Sequence, residues 1–152
     1  MRRIPLAVPA ALLLAFGCTE PSYPKVGGAW RYASTLTFPS DFSAGTGEPY
    51  VCTYLAALSL DQSSNTFEGT YDSLSISCSS GGISTGLRGT VINGTVTRGG
   101  ELGFYFDTPN WLMVGTIHGD SMGGTAIDSV SGLSGTEAAR GPWSACRSRA
   151  CQ

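Results

Sequence analysis

From residue 27 to residue 147 the chain alternates apolar and polar side chains with a period of two, in segments of about ten residues broken by turn signals. Trp30, Tyr32, Leu36 and Phe38 share one face of the first segment. Cys52, Tyr54, Ala56, Leu58 and Leu60 share one face of the second, and Leu102, Phe104 and Phe106 one face of a later one. Successive side chains of a strand point to opposite sides, so this spacing builds strands with one buried face. The breaks at DQSSN, Arg98-Gly99-Gly100, DTPN and Gly119-Asp120 sit at hairpin spacing. About eight strands are expected, over 27–38, 50–60, 66–78, 86–97, 101–107, 111–118, 121–128 and 142–147. No amphipathic helix is visible, although residues 137–140 could make a single turn.

Two places depart from strict alternation. In TFEGTYDSLSISC the apolar face is odd at Phe67 and Tyr71 and even at Leu74 and Ile76, which predicts a β-bulge near Asp72 and Ser73. Asn93-Gly94 interrupts the fourth segment, either within one strand or as the type I′ turn of a separate small hairpin. The 152 residues suffice for one domain. The fold class is therefore all-β, an antiparallel up-and-down meander closing into a roughly eight-stranded barrel, which removes the strand edges that invite aggregation. A two-sheet sandwich is the alternative. A net charge of −2 with only 13% charged residues offers no basic surface for nucleic acid, which is not expected as a partner.

The N-terminus is read as an address. Arg2 and Arg3 precede a short apolar run, residues 4–16, broken by Pro5 and Pro9 and too short for a spanning helix. The junction Ala15-Phe16-Gly17-Cys18 suits an ordinary signal peptidase. It also resembles the lipobox of bacterial lipoproteins, in which the cysteine is acylated and becomes the mature N-terminus; here Leu14 lies one place early and Phe16 fills the next position. Acylation of Cys18 would leave four cysteines of five, an even number for an oxidising compartment. The expected organisation is a signal peptide over 1–17, a lipid-anchored tether over 18–26, a barrel domain over 27–147 and a tail over 148–152. The implied location is the bacterial cell envelope, with the membrane a partner through the lipid. By the lipoprotein resemblance, Thr19 after the cysteine implies the outer membrane, facing the periplasm or the cell surface. The alternative is a secreted protein.

Gly28-Ala29-Trp30 resembles the Gly-x-Trp that opens lipocalins, and Gly69-Thr70-Tyr71 resembles a strand of avidin-type barrels. Gly141-Pro142-Trp143-Ser144-Ala145 is similar to the closing strand of uncharacterised bacterial lipoproteins with a lipocalin-like meander. The lipocalin resemblance implies that Trp30 closes one barrel end beneath a late-strand arginine: Arg147, or less favourably Arg140. Biotin binding is not carried over, because the chain has only three tryptophans and no late-strand Asp that matches the avidin pattern.

The cysteines allow three connectivities once Cys18 is set aside. Cys52 and Cys78 lie at the open ends of two hairpin strands, which favours Cys52–Cys78 and leaves Cys146 with Cys151. Catalytic patterns are absent: His118 is the single histidine, no Gly-x-Ser-x-Gly occurs, and the acids sit mainly in turns. No catalysis, cofactor or metal is expected. Tyr32, Tyr54, Phe67, Tyr71, Phe104 and Phe106 are the expected inward aromatics, either filling the barrel or lining a cavity for a small apolar or aromatic ligand. An extracytoplasmic protein partner, reached through the loops at 39–49 and 79–86, and a purely structural envelope role are the alternatives.

Overall fold

Each alternating segment pairs with its neighbour in sequence, and the last returns to the first. In the computed structural model, which describes residues 22–39, 48–79, 81, 83–84, 86–108, 110–128 and 139–147, every regular element is a strand. These are β1 (Gly28–Phe38), β2 (Tyr50–Ser63), β3 (Thr66–Cys78), β4 (Ile83–Ser84), β5 (Arg88–Val96), β6 (Glu101–Phe106), β7 (Trp111–His118), β8 (Ser121–Asp128) and β9 (Ala139–Cys146). The ring runs β1-β2-β3-β5-β6-β7-β8-β9 and closes antiparallel between β9 and β1, with Tyr32 opposite Ala145 and Thr37 opposite Arg140. β4 is an extra two-residue strand that pairs only with Ile76 and Ser77 of β3. The result is an antiparallel eight-stranded barrel, consistent with a lipocalin-like fold. Because each strand of the ring has a neighbour on both sides, the sandwich alternative does not apply.

Several boundaries differ from the sequence reading. β2 runs on to Ser63, so the expected turn over 61–65 shrinks to Ser64 and Asn65, with Ser64 in the left-handed region at φ 58°. β9 begins at Ala139, where Ala139 and Arg140 pair with Asp128 and Ile127; the helical turn expected over 137–140 is therefore strand in its second half. Asn93-Gly94 does not make a separate hairpin. β5 runs through it, and the register against both β3 and β6 slips by one residue there, with Asn93 at φ 54°. This is a β-bulge, and it carries the buried face from Val91 to Gly94 and Val96. The other slip leaves Leu74 unpaired between Ser73 and Ser75 opposite Ala56 and Leu55, one residue beyond the expected position.

The two ends of the barrel are built differently. At the base the connections are tight turns at 64–65, 97–100 and 119–120; at the mouth one is equally short, 107–110, and the others are longer. The base is sealed by residues 22–26 of the expected tether together with Gly27. Val26 is wholly buried in the core. Gln62 Oε1 accepts from the Val26 and Gly27 amides at 2.6 and 3.1 Å, while its Nε2 donates to the Pro24 and Ser64 carbonyls, both at 2.9 Å. Trp30 Nε1 donates to the Val26 carbonyl at 2.7 Å. Arg147 Cζ lies 4.4 Å from the Trp30 ring centroid, and Arg147 Nη2 donates to the Lys25 carbonyl at 2.6 Å. Arg140 sits at the opposite end of β9.

Between the base and the mouth half, the lumen is filled by side chains. Leu58, Leu60, Phe67, Val91, Phe104, Met113 and Trp143 are all buried. Trp143 Nε1 reaches across β8 to the Val114 carbonyl at 3.1 Å. The wall between them is bare at Gly124, where a Cβ would collide with that carbonyl and with the Gly115 backbone. Cys52 and Cys78, directly opposite in the β2–β3 ladder, form a disulfide. Cys146 is also disulfide-bonded and buried, and its expected partner Cys151 lies outside the described residues. So do the signal segment, Cys18, residues 40–47 of the first expected docking loop, and the tail over 148–152.

Candidate ligand cavity at the barrel mouth

The mouth half of the lumen is not filled. It holds a cavity of about 170 Å³ lined by aromatics, among them Tyr32, Tyr54, Tyr71, Phe106 and Trp111. Larger depressions of 580–650 Å³ lie on the base and outer wall, but they are grooves more open to solvent than the mouth cavity.

Period two brings these rings inward from different strands, and the closed ring makes them meet. β2 and β7 are on opposite walls, and Tyr54 and Trp111 touch edge to face across the lumen at 4.5 Å between centroids. β1 and β6 are likewise opposite, and Tyr32 meets Phe106 edge to face at 5.3 Å. Tyr71 leans on Phe106 at 4.6 Å. Such edge contacts suit the ring quadrupoles and hold each ring at a fixed tilt. The β3 bulge shapes the remaining wall, because Ser73 and Ile76, on either side of Leu74, both line the cavity. Gly89, opposite Tyr71, leaves room for its ring: a Cβ there would lie 2.6 Å from Tyr71 Cε1 and 2.7 Å from its hydroxyl.

Of the six aromatics expected to face inward, Tyr32, Tyr54, Tyr71 and Phe106 line the cavity. Phe67 and Phe104 pack below it, 5.7 Å apart, as core. Trp111 was not among the expected lining residues. Its parity with Met113 and Ile117, both buried, is the sequence signal that places it inside. His118 is exposed at the base hairpin, at the other end of the barrel.

The polar groups of the cavity are mostly phenols. The Tyr32 hydroxyl donates to Met113 Sδ at 3.5 Å. Burial pushes its pKa up strongly. Nearby Ser34 opposes that rise, although Ser34 Oγ itself makes no hydrogen bond within geometric limits. Burial, with smaller contributions from Tyr50 and Asp128, pushes Tyr54 up to about 12. Burial and then the charge of Asp107 raise Tyr71. Asp107 accepts from the Thr90 amide and hydroxyl, both at 2.8 Å, which holds its carboxyl below the usual range. All three phenols therefore stay neutral at ordinary pH. Two groups on lining residues are buried without a hydrogen-bond partner: the Tyr71 hydroxyl and Trp111 Nε1. Among the described residues, no lysine or arginine lines the cavity, and no group of three His, Cys, Asp or Glu residues could hold a metal ion.

No family model matches the chain, and no curated protein or solved structure matches it either.

Proposed function

We propose that this chain is a non-catalytic binding protein of the bacterial cell envelope, a lipocalin-like lipoprotein that takes a small apolar or aromatic molecule in the mouth cavity. The observation that carries this reading is the cavity itself. Five aromatic rings from five strands surround an unfilled space at the mouth, while the rest of the lumen is packed. A volume of about 170 Å³ is below the roughly 300–1,000 Å³ of sites for drug-sized ligands, so the ligand is correspondingly small. Lipid anchoring is supported by the apolar N-terminal run ending at Cys18, and an oxidising compartment by the disulfide between Cys52 and Cys78. A place outside the cytoplasm, anchored to the outer membrane and facing the periplasm or the cell surface, follows from that reading.

Two measurements test it. Mass spectrometry of protein extracted from native membranes is expected to find Cys18 acylated and a small molecule carried along; an unmodified Cys18 in the mature chain removes the anchor. Ala56 lines the cavity, and Ala56→Leu adds three carbons to its wall. That variant is expected to fold and to lose at least tenfold in affinity for any ligand found. Unchanged affinity would place the ligand elsewhere.

A further inference from the structure

The two unpaired donors narrow the chemistry of the ligand. Tyr71 and Trp111 are each more than nine-tenths buried, and both line the cavity. Neither the Tyr71 hydroxyl nor Trp111 Nε1 meets an acceptor. Buried polar groups in folded proteins are nearly always satisfied, so two unpaired donors bordering one cavity call for acceptors from outside the chain. A pure hydrocarbon would fill the space and leave both donors unpaired, which favours a ligand that carries an acceptor.

Charge excludes one class of acceptor. Asp107 lies close enough to Tyr71 to raise the pKa of its hydroxyl. Asp128, buried and opposite Trp111 in the β7–β8 ladder, acts in the same sense on Tyr54. With the Asp107 carboxylate close to Tyr71 and no cation among the described lining residues, an anionic ligand finds no counter-charge. Size sets the rest. A cavity of about 150 Å³ accommodates benzene, so about 170 Å³ suits one ring with one small substituent.

We propose that the ligand is a single neutral aromatic ring bearing a carbonyl-type acceptor, held by hydrogen bonds from Tyr71 Oη and Trp111 Nε1. This rests on the reading of the cavity as a ligand site. The ring stacks among Tyr32, Tyr54 and Phe106, and its oxygen is directed to Tyr71 Oη on β3 and Trp111 Nε1 on β7. Ligand specificity then comes from losing the carbonyl, because an analogue without it leaves buried donors unpaired.

The test is a calorimetric titration of the full chain with four probes of similar size: acetophenone, ethylbenzene, benzoate and benzylamine. Acetophenone is expected to bind about tenfold more tightly than ethylbenzene, the gain from one or two hydrogen bonds, with benzoate weaker than either and benzylamine, which offers no acceptor, weaker than acetophenone. Tyr71→Phe and, separately, Trp111→Phe should each reduce the preference for acetophenone while leaving ethylbenzene bound. Ethylbenzene binding as tightly as acetophenone, or either ion binding most tightly, overturns the assignment of a neutral acceptor but keeps the cavity as a ligand site. Failure of all four probes to bind overturns both.

Discussion

At Gly124 the wall has no room for a side chain, because a Cβ would collide with the Val114 carbonyl, which accepts the Trp143 indole N–H. The neighbours that a Cβ would meet are backbone atoms, which cannot rotate away. Gly124→Ala is therefore expected to cost about 2–3 kcal/mol, read as a lower urea midpoint with little change in slope. The phenols make a second prediction at this scale. Tyr54 has an ordinary pKa of 10.0 when unfolded and about 12 when folded. Its contribution to stability is full below pH 10 and is lost as pH rises toward 12, since only the unfolded chain then ionises. Tyr54→Phe should flatten the fall in stability over that window, and an unchanged alkaline slope would contradict the assignment. Residue identities inside the barrel were legible from parity alone, as Trp30, Tyr32 and Leu58 illustrate. Which of them leave a space was not legible. Phe104 and Phe106 have the same parity on one strand, yet one is core and the other lines the cavity, because the difference depends on what reaches them from the opposite wall.

The elements carry their own lesson about register. In β3 the sequence shows its bulge, because the apolar face changes parity between Tyr71 and Ile76. In β5 the same change occurs between Val91 and Val96, but Asn-Gly is also the strongest two-residue hairpin signal. Local chemistry could not choose between the two outcomes. The choice is made by the neighbours, since β3 and β6 both need β5 as a continuous partner to close the ring. The Cys52–Cys78 bond fixes the mouth end of the β2–β3 ladder, the longest in the barrel. A sequence separation of 26 gives roughly 3.5 kcal/mol of stabilisation in the chain-entropy model. The paired Cys52→Ala and Cys78→Ala variant is expected to lose about that much. Hydrogen exchange should show the loss most clearly at the mouth end of β3, where the bulge already weakens the ladder.

For the molecule as a whole, closure was readable from the number of short hairpins. The sealing of the base was not, because residues 22–26 have no apolar periodicity and include Pro24, a composition that fits an extended linker equally well. Their docking depends on one distant side chain, Gln62, which makes four hydrogen bonds to backbone groups on both sides of the base. Gln62→Ala is expected to cost about 1–3 kcal/mol and to speed hydrogen exchange at the Val26 and Gly27 amides, leaving the mouth unaffected. The same four bonds fix where the chain leaves the barrel. With Ser22 held at the base, an acyl group on Cys18 is only four residue steps away, at most about 14 Å. The barrel would then stand on the bilayer with its base down and its mouth turned to the aqueous side. A ligand would reach the cavity out of solution, with no direct passage from the lipid phase.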